Sequence, residues 1–102
     1  MKLEWTEPAL SDIENIRDYI RRDSEQYAYR FVEKIIDVVE NLKNFPEMGR
    51  HVPEAEEENI RELIFHNYRI MYRTEPKRIL LLAIIHSARD ISRKKLKPWD
   101  VT

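Results

Sequence analysis

No cysteine occurs in the 102 residues. That excludes a disulfide framework, a thiolate zinc site and a cysteine nucleophile, and it fits a reducing compartment. Glycine occurs once, at Gly49, so no Gly-rich loop can cradle a phosphate. A chain that uses a single glycine is expected to need there a backbone conformation that other residues resist. The three histidines, His51, His66 and His86, show no ligand spacing. Neither a metal site nor a cofactor is expected. The longest apolar run, Ile79 to Ile85, is too short to cross a bilayer. The opening Met1-Lys2-Leu3-Glu4-Trp5 lacks the apolar stretch of a secretory signal. A cytoplasmic protein with no membrane partner is the expectation.

Net charge is also nearly absent: 18 basic and 19 acidic residues leave −1. The cancellation hides an asymmetry. Residues 1–59 carry 8 basic and 15 acidic residues, a net of −7, while residues 60–102 carry 10 and 4, a net of +6. Either the two halves neutralise each other within one fold, or the basic half meets an anionic partner.

The length suits one domain, residues 1–102, with one modest core. Residues 2–5 alternate and read as a short strand. Thr6 is placed to cap a helix whose first turn holds Glu7 and Pro8. Leu10, Ile13, Ile16 and Ile20 follow at helical spacing over about 15 residues. Asp23-Ser24 restarts the pattern, and Ala28, Phe31, Val32, Ile35, Val38, Val39 and Leu42 mark a second helix. The short break predicts an antiparallel helical hairpin. Asn44 to Glu58 reads as a loop with an acidic cluster. Beyond it the period becomes strand-like. Ile60 to Phe65 and Tyr68 to Thr74 turn at His66-Asn67, and Ile79 to His86 follows a turn at Glu75-Pro76-Lys77. The unbroken apolar run of that last strand predicts a central strand covered on both faces, with the first strand beside it. The fold class is therefore α+β, an N-terminal helical hairpin on one face of a small, mainly antiparallel sheet. The other face is expected to be concave or open, and Arg89 to Lys97 a polar segment, either a frayed helical turn or disordered, with Lys94, Lys95 and Lys97 as a solvated tail.

The order of these pieces resembles a known pattern. It runs from Leu3-Glu4-Trp5 through Ala9-Leu10-Ser11-Asp12-Ile13 and Asn44-Phe45-Pro46-Glu47-Met48-Gly49-Arg50. It continues with Ile60-Arg61-Glu62-Leu63 and Asn67-Tyr68-Arg69-Ile70, and ends with Ile85-His86-Ser87-Ala88-Arg89-Asp90. The succession is similar to the RelE/ParE superfamily of growth-inhibiting toxins, also called plasmid-stabilisation proteins. The resemblance implies the toxin of a type II toxin–antitoxin module, neutralised by a cognate antitoxin. ParE-like members inhibit DNA gyrase, whereas RelE-like members are endoribonucleases that cut mRNA on the ribosome. A non-toxic binding module on the same fold is a further alternative. The acidic loop and the lack of an aromatic between residues 87 and 98 tilt the resemblance towards the ParE-like branch.

Metal-independent RNA cleavage needs a base, an acid and cations around one phosphate. Arg69, His86 and Arg89 are the candidate site, brought together by the turn between the last two strands. Arg50, Arg61 and Arg73 are candidate target- or phosphate-binding residues, with Arg61, Arg69 and Arg73 expected to form a row on one sheet face.

Overall fold

A computed structural model describes residues 1–100. Strand β1 (Lys2–Trp5) leads directly into helix α1 (Glu7–Arg21). Thr6 joins them: its Oγ1 accepts the Ala9 N–H at 3.2 Å and donates to the Leu81 carbonyl at 2.8 Å. One hydroxyl thus caps the helix and ties it to the sheet. Ser24 caps α2 (Glu25–Glu40) in the same way, accepting from the Tyr27 N–H at 3.1 Å. The two-helix hairpin is as the sequence predicts.

Strands β2 (Arg50–His51), β3 (Ile60–Phe65), β4 (Tyr68–Thr74) and β5 (Arg78–His86) complete a sheet of order β1-β5-β4-β3-β2. β1 runs parallel to β5, and the other pairs are antiparallel. β5 is central and buried along nearly its whole length, as its apolar run requires. The short β2 lies in the stretch read from sequence as loop.

Ala9, Ile13 and Ile16 of α1 and Phe31, Ile35 and Val39 of α2 pack on one sheet face, against Ile70, Tyr72, Ile79, Leu81 and Ile84. The other face is not open. Val52, Ile60, Met71, Leu80, Leu82, Ala83 and Ile85 form a second core there, closed by Ile91 and Trp99. The tail expected to be solvated therefore folds back over the sheet. Its two buried apolar side chains, Ile91 and Trp99, separated by seven mostly polar residues, anchor both ends of the segment.

A bulge links the two cores. Met71 pairs with Ala83 but Tyr72 pairs with Leu81, so Leu82 has no opposite residue. The extra residue reverses the alternation of β5. Ile79, Leu81 and Ile84 thereby face the helices, while Leu80, Leu82, Ala83 and Ile85 face away.

Gly49 departs from expectation. Its φ is not positive; His66, the first residue of the β3–β4 turn, has φ 52°. Space is what Gly49 supplies: a Cβ there would lie 2.6 Å from the Glu62 carbonyl oxygen and 2.7 Å from the Tyr72 hydroxyl.

Candidate functional site

The far face of the sheet places Glu62 of β3 opposite Met71 of β4, beside Arg69. The Glu62 carboxylate is fully buried. Its Oε1 accepts from Arg69 Nε at 2.6 Å and its Oε2 from Arg50 Nε at 2.8 Å. Glu54, from the acidic loop, closes the remaining side of the Arg69 guanidinium. Nη2 donates to its Oε1 at 2.6 Å and Nη1 to its Oε2 at 3.0 Å. This is the two-pronged geometry in which arginine binds carboxylates most strongly. The hydrogen bond to Arg69 holds the Glu54 carboxyl below its ordinary range, against the opposing effect of burial. The same bond raises Arg69 further above the usual guanidinium value. Two cations and two carboxylates therefore cancel, with Arg69 almost wholly enclosed.

The expected row of guanidiniums is broken. Arg61 is directly opposite Tyr72, so it rises on the helix side of the sheet, away from Arg69 and Arg73. Its Nη1 donates to the Gly49 carbonyl at 2.7 Å and to that of Glu47 at 3.3 Å. Tyr72 grips the same loop, accepting from the Gly49 N–H and donating to the Pro46 carbonyl, both at 2.9 Å. Arg73 shares the face of Arg69. It is held by Glu75 Oε2 at 2.9 Å and by the Trp99 carbonyl at 3.3 Å. Arg50 is more exposed, but its Nε and Nη2 both reach Glu62 Oε2 at 2.8 Å.

Within the trio Arg69, His86 and Arg89, the first two do not converge. The strand register is as expected, with Arg69 opposite Ile85 and Tyr68 opposite His86. Opposite residues share a face and sequence neighbours do not, so His86 emerges on the helix side and Arg69 on the other. The His86 ring stands edge-on to Tyr68 at 5.5 Å, and its Nδ1 accepts from the Ala88 N–H at 3.1 Å. Arg89 lies beyond the strand end, exposed, where its charge acts on Asp12 of α1. Arg69 and His86 therefore do not address one point in space.

Sequence reasoning missed Glu62, Glu54, Tyr72 and Asp12. Glu62 carried a signal, being the one acidic residue in β3, on the apolar side of its alternation with Ile60 and Ile64. Asp12 fills a gap: β1 ends opposite Leu81, and the Ile84 N–H farther along β5 is taken by Asp12 Oδ2 at 2.9 Å. Burial raises the Asp12 pKa, partly offset by that hydrogen bond.

A helical hairpin on a five-stranded sheet, with the first strand parallel to the last, defines the α+β toxin fold of the RelE/ParE superfamily. A structure described as the chromosomal ParDE toxin–antitoxin system from P. aeruginosa shares it. That chain is 27% identical with a TM-score of 0.71, over 84% of this chain and 95% of that one. A chain of the toxin–antitoxin complex RelBE2 from Mycobacterium tuberculosis, 16% identical, shares the fold with a TM-score of 0.62, over 83% of this chain and 95% of that one. No curated protein matches by sequence. The chain belongs to the family described as the ParE toxin of the type II toxin–antitoxin system parDE, which its residues 3–91 match. Among the described residues no helix is long and apolar enough to cross a membrane.

Proposed function

We propose that this toxin acts by binding a protein target, DNA gyrase, in the cytoplasm, and that a cognate antitoxin neutralises it. The observation that carries this reading is the engagement of Arg69 by Glu54 and Glu62. RNA cleavage needs cations free to meet the charge that develops on a phosphate. Here Arg50, Arg61, Arg69 and Arg73 all have partners within the chain. His86, the candidate base, is on the opposite side of the sheet from Arg69. A surface that binds protein needs no such convergence.

Exposed apolar side chains on the hairpin favour an antitoxin contact there. Tyr29 and Ile36 of α2 stand 68% and 39% exposed, with Val32 half-buried between them, and Leu10 of α1 is 46% exposed. These residues offer the apolar stripe that an amphipathic segment covers. The ParDE and RelBE2 neighbours come from toxin–antitoxin systems, which supports a partner of this kind.

One preparation tests the target. Purified protein is expected to inhibit gyrase supercoiling and to leave ribosome-bound mRNA intact. Cut mRNA with normal supercoiling would overturn the reading. Normal growth on induction of folded protein, with or without the antitoxin, would favour a non-toxic binding module instead.

A further inference from the structure

We propose that the hollow between α1, the end of β5 and the C-terminal segment docks an acidic, apolar peptide segment of a partner protein. The hollow encloses about 250 Å³. Leu82, Ala83 and Ile85 form an apolar floor, and Leu96 stands at the rim with 77% of its surface exposed. Arg89 and Lys94 complete the rim. Neither side chain donates a hydrogen bond or makes an ion pair among the described residues. That separates them from the arginines of the sheet.

Two contacts shape the site. Lys97 Nζ donates to the carbonyls of Ile91 and Ser92, at 2.9 and 2.7 Å. These bonds fold the rim segment on itself. Asp12 lines the inner wall, with Oδ2 fixed on the Ile84 N–H. It is the one acidic residue in a lining that also holds Arg89, Lys94 and Lys97, so the lining is net positive. The surrounding basic half, residues 60–102, carries a net +6. A carboxylate suits the Arg89 guanidinium, and an aliphatic side chain beside it would cover the floor. The volume admits one or two side chains, so a short stretch of peptide is the fitting occupant.

The family match ends at residue 91. Lys94, Leu96 and Lys97 lie beyond it, whereas Asp12, the apolar floor and Arg89 lie within it. The inference does not depend on gyrase being the target.

The probe is a capped hexapeptide alternating Glu and Leu, titrated into the full chain and followed by amide NMR shifts. Controls alternate Gln with Leu and Glu with Gly. Saturable shifts centred on Ala83, Ile85, Arg89 and Lys94 are expected from the first peptide, with both controls weaker. Joint replacement Arg89→Gln and Lys94→Gln should weaken binding about tenfold. Asp12→Asn keeps an oxygen for the Ile84 N–H and removes the opposing charge, so it should tighten binding by about threefold. Equal affinity for the Glu–Gly control would reduce the site to counterion attraction and overturn the proposal. So would shifts centred elsewhere, unchanged affinity in the Arg89/Lys94 variant, or no saturation by about 5 mM peptide.

Discussion

The two basic regions of the molecule differ in what their cations face. On the sheet, Arg50, Arg69 and Arg73 meet Glu62, Glu54 and Glu75, and Arg61 meets loop carbonyls. After β5, Arg89 and Lys94 face solvent around an apolar hollow. The sequence offers the five arginines as candidates and reads Lys94 as part of a solvated tail. Only the partners tell them apart, and availability rather than mere presence makes a cation useful for binding. The charge split between the halves is read the same way. Glu54 of the acidic half clamps Arg69 of the basic half, and Glu4 clamps Arg78 at 2.6 Å. Part of the +6 is thus answered within the fold, while Arg89, Lys94 and Lys95 after β5 have no carboxylate partner among the described residues.

The contrast breaks most visibly at Glu62. Glu62→Ala leaves a buried guanidinium short of a partner and is expected to cost about 3–5 kcal/mol in chemical denaturation. Arg89→Gln, on the unpaired side, should change stability by less than about 0.5 kcal/mol. Similar losses in the two variants would erase the distinction.

Gly49→Ala comes next, at about 1–3 kcal/mol. The new methyl group would press on the Glu62 backbone and the Tyr72 hydroxyl together, loosening the loop that Arg61 and Tyr72 hold. An unchanged denaturation midpoint would mean that the loop yields freely.

The smallest effect belongs to Glu54, and it depends on pH. Folding lowers the Glu54 pKa from its ordinary 4.5. Its stabilisation is therefore full above that value and fades as pH falls through the lower folded value. Glu54→Gln should be less stable than the parent at neutral pH, with the gap closing in acid. A gap that is constant with pH would point to packing rather than charge.

Much of this fold is legible in the chain. Thr6 and Ser24 announce helix starts because their short oxygens suit the first exposed N–H groups. The run from Ile79 to Ile85 announces a strand covered twice. The side of Arg61 was legible too: a two-residue turn at His66-Asn67 sets Arg61 opposite Tyr72. That pairing parts it from Arg69. The bulge at Leu82 left no mark, because every residue around it is apolar and either phase satisfies the pattern. The covering of the far face was equally hidden. Ile91 and Trp99 are single apolar residues in a polar stretch, and periodicity cannot register isolated anchors.

The two cores have an optical consequence. The chain holds two tryptophans, and the fold assigns one to each side of the sheet. Trp5 borders the helix-side core, while Trp99 is buried in the other. Their indoles are native fluorophores on opposite faces. With Trp5 replaced by phenylalanine, the remaining emission would report on the far face alone, so detachment of the C-terminal segment could be timed separately from melting of the hairpin.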